Sequence, residues 1–200
     1  MTIIIPAAGI ASRFGGVRKE LLPLSDAPGD CALRRQVWRG LAVGRVRVVT
    51  STASAPAHAA TLADMPVDLR VRSTGADDMW RTVLAGIDGA GGLLLADTVW
   101  SGALPSAAVA PIVFGVFETD EPERYSVIRD GRIVTKQHGP PALAWGCVLW
   151  QETTAAYWQE TAFPSYDAAF QAAMDAGWAT FPIRDYHDLG SFNAYRRWLP

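Results

Sequence analysis

The chain has 200 residues, half of them apolar and 19% charged, which excludes a disordered polypeptide. Its formal charge of -2, from 18 basic and 20 acidic residues, excludes a general nucleic-acid binder, whose affinity needs a cationic footprint. Cys31 and Cys147 have no second cysteine or histidine at ligand spacing, so neither a disulfide framework nor a zinc site is expected.

Thr2 to Ala7 is a short apolar run ending near a glycine and reads as a buried strand feeding a loop. Ile10 to Leu24, with Gly15, Gly16 and Pro23, reads as loop. Ala32 to Val43 places Leu33, Val37 and Leu41 four residues apart, the spacing of one helix face. Val46 to Thr50 is a second strand, Ala55 to Asp64 an alanine-rich, helix-compatible stretch after Pro56, and Val67 to Val71 a weaker strand. Asp77 and Asp78 open a helix through Ile87, since acids in a first turn complement the helix dipole. Leu93 to Ala96 is a strand too apolar to face water. Strands alternating with helices in this order predict a parallel α/β sheet with crossovers.

The second half is richer in strands: Ile112–Phe117, Tyr125–Arg129, Arg132–Lys136 and Leu143–Trp150. Asp130-Gly131 predicts a type I′ hairpin turn. Ser165 to Gly177 is an amphipathic helix, Trp178 to Ile183 a strand, and Phe192 to Trp198 a closing helix. The expected architecture is one three-layer, mainly parallel Rossmann-like sheet shared by both halves, with an inserted β-hairpin region. The longest uncharged run, Thr98 to Phe117, contains Gly102, Pro105 and Pro111, so it reads as loop plus buried strand and not as a membrane span. No signal peptide is evident, and the expected location is the cytoplasm. His58 and His138 are expected at the surface.

The first loop carries the chemistry. Ala7-Ala8-Gly9 at the carboxyl end of a parallel strand, then Ser12, can offer backbone N–H groups to phosphate oxygens. Arg13 and Lys19 add mobile positive charge there. Of the 18 basic residues, 16 are arginine and two are lysine, Lys19 and Lys136. In that background each lysine is a candidate for a role that needs a compact point charge. No Gly-Lys-Ser/Thr follows the glycine, so this is not a Walker loop, and the third glycine of a dinucleotide fingerprint is missing.

Pro6-Ala-Ala-Gly-Ile-Ala-Ser-Arg13 with Lys19-Glu-Leu-Leu-Pro-Leu24 resembles the signature of the sugar-phosphate nucleotidyltransferases, the NDP-sugar pyrophosphorylases. It leans toward their uridylyl- and thymidylyltransferase branch. Ala11 stands in place of the second glycine and Arg18 in place of the proline before the lysine. Leu93-Leu-Leu-Ala-Asp97 resembles the family strand ending in Gly-Asp. Arg132-Ile-Val-Thr-Lys136 resembles the strand ending in Glu-Lys-Pro, with Thr135 in place of glutamate. Asp188-Leu-Gly190 resembles the final Asp-x-Gly turn.

The resemblance implies transfer of a nucleotidyl group from an NTP to a sugar 1-phosphate, with residues 1–110 as the nucleotide half and 111–200 as the sugar half of one domain. It implies Mg²⁺ held by Asp97 and Asp188, and nucleotide binding by Ala7, Ala8, Gly9, Ser12, Arg13 and Lys19. Arg13 and Lys19 would be catalytic, and Lys136 would grip the sugar phosphate. Asp185 and His187 are rivals to Asp188, but Mg²⁺ prefers hard oxygen ligands, and the Leu-Gly that follows selects Asp188. Gly75 is expected to let a base approach the backbone, and Trp145-Gly146 is the preferred aromatic site for a sugar ring. Trp80, Trp100 and Trp150 fit a core. The expected partners are the two small-molecule substrates, with no nucleic acid and no membrane. A same-fold transferase with a non-sugar phosphate acceptor, or a non-catalytic nucleotide sensor, remains open.

Overall fold

The computed structural model describes residues 1–9, 17–72 and 79–198. Strand β1 (Thr2–Ala7) is followed by α1 (Ala32–Leu41), β2 (Arg45–Ser51), α2 (Ala55–Thr61), β3 (Val67–Arg72), α3 (Met79–Leu84), β4 (Gly91–Leu94) and β5 (Thr98–Ser101). Then come β6 (Ile112–Thr119), β7 (Ser126–Arg129), β8 (Arg132–Thr135), β9 (Ala142–Trp150), α4 (Glu152–Glu160), α5 (Tyr166–Ala176), β10 (Trp178–Pro182), β11 (Arg184–Asp188) and α6 (Phe192–Trp198).

The main sheet has the order β10-β6-β9-β4-β1-β2-β3. Its β4, β1, β2 and β3 are mutually parallel, as are β10 and β6, and β9 runs antiparallel between the two groups. The expected mostly parallel α/β sheet spanning both halves of the chain is therefore present. The inserted hairpin is β7–β8, attached to the sheet through β9. Its turn has φ of 49° at Asp130 and 72° at Gly131, as a type I′ turn requires.

Alternation along β1 builds a core on each face of the sheet. Ile3 and Ile5 pack in one cluster with Leu33 and Val37 of α1, and Ile4 packs in the other with Trp80 and Val83 of α3. All three isoleucines are fully buried, and each such burial is worth about 1.5–3 kcal/mol. A charge at Ile4 would break the strand that carries the first loop. Trp80, Trp145, Trp150 and Trp158 join Phe114 and Phe170 in the Ile4-side core, mostly through edge-to-face contacts. Trp100 lies in the opposite core, under the Arg39 guanidinium.

Several local expectations need correction. Helix α4 has too weak an amphipathic stripe to be read from its residues, yet Ala155 and Trp158 are buried. The Thr98 segment is not loop up to Ile112: β5 pairs with β11 in a separate two-stranded antiparallel ribbon. That pairing joins residues over eighty positions apart, and a bulge interrupts it, so no local pattern reveals it. His58 is not at the surface but fully buried, because its ring bridges two polar partners. The expected helix from Asp77 is described from Met79 and ends at Leu84.

Candidate active site

The site forms where the carboxyl ends of β1 and β4 meet two loops from elsewhere in the chain. A single 3-10 turn, Lys19–Leu21, presents Lys19. Glu20 of the same turn is buried and anchors it. Arg18 donates from Nη1 to the Gly9 carbonyl at 2.5 Å, tying this turn to the start of the first loop. A proline at position 18 could not make that bond. The Lys19 ammonium forms an ion pair with the Asp97 carboxylate.

Asp97 lies just beyond β4, in a turn held from several sides. Thr98 donates its hydroxyl to the Leu95 carbonyl at 3.0 Å, and the buried Gln36 donates to the Thr98 carbonyl at 2.7 Å. The Leu189 N–H donates to the Asp97 carbonyl at 2.9 Å. That last bond locks the Asp97 turn to the turn that carries Asp188. Asp188 accepts from the Gly190 N–H at 2.6 Å. A Cβ at Gly190 would stand 2.7 Å from the same carboxylate oxygen, so the glycine is needed where it stands. Burial, and then the neighbouring Asp97 charge, push the Asp188 pKa above the ordinary carboxylate value. Asp185 does not compete for the site, since it accepts from the Ser101 hydroxyl at 2.6 Å. His187 packs edge-on against Trp198.

Two cavities meet here. One, of about 190 Å³, is lined by Pro6 to Gly9, Lys19, Glu20, Met79, Thr82 and Leu95 to Asp97. The other, of about 220 Å³, is lined by Arg124, Tyr125, Ser126, Lys136, Trp145, Tyr166, Tyr186 and Asp188, among others. Lys19, Met79, Leu95 and Asp97 line both. A group held on the β1 side and a group held on the β9 side would therefore meet at the Lys19–Asp97 pair.

The structure thus brings together Ala7, Ala8, Gly9, Lys19, Asp97, Asp188, Lys136 and Trp145. Ser12, Arg13 and Gly75 lie outside the described residues. Lys136 follows β8 with φ of 47°, a left-handed backbone conformation uncommon for a residue with a side chain. Gly146 does not line the cavity. Any side chain there would collide with the Tyr186 ring and stand 2.7 Å from Ile183, so Gly146 serves by seating Tyr186. Thr135, in the place of a family glutamate, donates its hydroxyl to Asp167 of α5 at 2.6 Å.

Sequence reasoning missed Tyr186, Arg124, Tyr125, Ser126 and Tyr166. Tyr186 stacks on Phe117, with ring centroids 4.0 Å apart, and burial raises its pKa well above the usual tyrosine value. Burial also raises the Tyr125 pKa. Tyr186 lies two residues before Asp188, on the strand whose distant pairing was not legible; that alternation was the available signal.

Among the described residues no cluster of three or more potential metal ligands occurs. No helix among them is long and apolar enough to cross a membrane.

The sequence matches no protein-family model and no curated protein. Solved structures do resemble the fold. A protein from Bacillus anthracis described as a glucose-1-phosphate thymidylyltransferase, in complex with a sucrose, has a TM-score of 0.81 at 16% identity, over 99% of this chain and 94% of that one. HddC from Yersinia pseudotuberculosis gives 0.75 at 16% identity, over 98% and 96%. The inositol-1-phosphate CTP transferase from T. maritima gives 0.71 at 16% identity, over 98% and 94%. The chain has the fold of the sugar-phosphate nucleotidyltransferases.

Proposed function

We propose that the protein transfers a nucleotidyl group from an NTP to a sugar 1-phosphate, releasing pyrophosphate. The observation that carries this reading is the meeting of two cavities at one lysine–aspartate pair. Such a layout suits a reaction in which two phosphorylated substrates enter from opposite sides.

In this reading an anionic oxygen of the acceptor phosphate attacks the α-phosphorus. The bond from that phosphorus to the bridging oxygen breaks, and pyrophosphate leaves with the electron pair. The acceptor oxygen is already ionised at neutral pH, so no general base is needed. Catalysis is positioning plus charge neutralisation. The Ala7-Ala8-Gly9 backbone cradles the donor phosphates. Lys19 moves from Asp97 onto the reacting phosphate, and Arg13 holds the leaving pyrophosphate. Lys136, with Arg124 beside it, orients the acceptor phosphate, while Trp145 and Tyr186 wall the acceptor ring.

Asp97 and Asp188 suit Mg²⁺. They are two hard carboxylates close enough for the charge of one to raise the pKa of the other. Mg²⁺ completes its shell with water and substrate phosphate, so two protein ligands suffice. When bound, the ion would neutralise charge on the α-phosphate.

A non-sugar phosphate acceptor is the second reading, favoured by the departure at Thr135 from the family glutamate. The test is a matrix of NTPs against sugar and polyol phosphates, read by pyrophosphate release. Release that requires both substrates supports transfer, and the productive acceptor decides between the readings. Binding of nucleotide without any release would leave a sensor.

A further inference from the structure

The acceptor side of the site is built on a hairpin that the main sheet holds by little. Strand β8 pairs only with β7, and β7 meets β9 at two positions, Val127 opposite Ala144 and Ile128 opposite Leu143. Yet the base of this hairpin supplies Arg124, Tyr125, Ser126 and Lys136 to the acceptor cavity. The Lys136 N–H donates to the Tyr125 carbonyl at 2.9 Å, so these two residues reach the cavity as one rung.

Helix α5 serves the edge of β8 that no strand covers. Asp167 and Gln171 are four residues apart and therefore neighbours on one helix face. Gln171 accepts from the Ile133 N–H at 2.9 Å and donates to the Gly131 carbonyl at 3.3 Å, which holds the turn end of β8. Asp167 holds the other end, where its Oδ2 accepts from the Thr135 hydroxyl at 2.6 Å. Thr135 stands opposite Ser126 in the strand register. Burial pushes the Asp167 pKa up, while the Thr135 and Ser126 hydroxyls and the Lys136 charge pull against it. One carboxylate thus acts on both members of the rung next to Tyr125–Lys136.

Helix capping does not account for Asp167. Ser165 already caps α5, its hydroxyl accepting from the Ala168 N–H at 3.3 Å. An acid that only complements the helix dipole would stay in water. Asp167 instead has a fully buried Oδ1 with no hydrogen-bond partner among the described residues, an arrangement that costs stability. Thr135 is not among the residues lining the acceptor cavity; its hydroxyl is spent on Asp167.

We propose that Asp167 is a positioning residue for the acceptor: by clasping the Ser126–Thr135 rung onto α5, it sets where Lys136 and Tyr125 stand in the cavity. This rests on the nucleotidyl-transfer reading and deepens it.

The test compares Asp167→Ala, Thr135→Val, the double variant and Asp167→Asn. Pyrophosphate release is measured with each substrate varied at saturation of the other, and thermal melting is the folding control. Asp167→Ala and Thr135→Val should each raise the KM for the sugar 1-phosphate on the order of 10-fold and leave the KM for the NTP unchanged. The double variant should be no worse than either single one, because both remove the same bond. Asp167→Asn, whose amide oxygen still accepts from Thr135, should restore most of the acceptor affinity. A native acceptor KM in Asp167→Ala would overturn this inference alone, whether or not the melting point falls. An equal rise in both KM values would also overturn it and leave Asp167 as a general brace. An asparagine as damaging as the alanine would refute the role of the Thr135 bond. No release by the native protein with any sugar 1-phosphate would overturn the transfer reading, and this inference with it.

Discussion

Replacing Asp188 by asparagine should stabilise the metal-free protein while abolishing turnover. The asparagine oxygen can still accept from the Gly190 N–H, bonded at 2.6 Å, so the substitution removes charge and little else. Burial and the Asp97 charge raise the Asp188 pKa above its ordinary value of 3.8. The folded protein therefore holds this proton to higher pH than the unfolded chain does. Below the unfolded value both states are protonated, and aspartate and asparagine are equivalent. As pH rises through the raised folded value, the aspartate protein loses stability relative to its unfolded state, and above it the full penalty applies. Every tenfold tightening of proton binding on folding makes that penalty about 1.4 kcal/mol larger. In a domain of this size each kcal/mol moves the melting point by roughly 2–4 °C. Thermal melts in EDTA from pH 3 to pH 8 should show the variant gaining nothing at the acid end and most at neutral pH. Added Mg²⁺ and NTP should raise the melting point of the native protein more than that of the variant. A variant less stable than the native protein at pH 7 in EDTA would refute the buried like-charge argument.

Lys136→Ala should raise the KM for the sugar phosphate several-fold more than that for the NTP, measured by varying each substrate at saturation of the other. Gly146→Ala should displace Tyr186 and lower turnover although position 146 touches no substrate; the change is read by steady-state kinetics beside a melt. Arg18→Ala should weaken NTP binding by freeing the Gly9 carbonyl, with the acceptor KM unmoved. Arg47 is 5% exposed and holds Asp68 at 2.6 Å and Asp88 at 2.9 Å, so Arg47→Ala should cost about 3 kcal/mol in urea unfolding with an unchanged slope.

What could be read ahead of the structure depended on how local the pattern was. The strand and helix of the first crossover follow from the unbroken apolar run Thr2 to Ala7 and the leucine–valine spacing, both local. Asp97 and Lys19 were legible because each closes an apolar strand or a small-residue loop. The β5–β11 ribbon was not, because its pairing spans most of the chain, and with it went Tyr186. His58 shows the same limit: a lone histidine in an alanine-rich helix reads as exposed until Thr50 and Glu20 are seen to satisfy it. Arg18 looked like a lost proline, yet it bonds the Gly9 carbonyl, which no spacing rule reports.

The proposed function rests on attack by an acceptor phosphate oxygen on the α-phosphorus of a nucleotide at the Lys19–Asp97 junction. A productive sugar 1-phosphate carrying ¹⁸O on its non-bridging oxygens tests this directly, with products separated and weighed by mass spectrometry. All the label should stay in the nucleotide-sugar, one labelled oxygen bridging the two phosphorus atoms, and pyrophosphate should carry none. Lys19→Ala should form this product far more slowly while remaining folded. Label in the released pyrophosphate, or an unlabelled nucleoside monophosphate as the main product, would contradict this route.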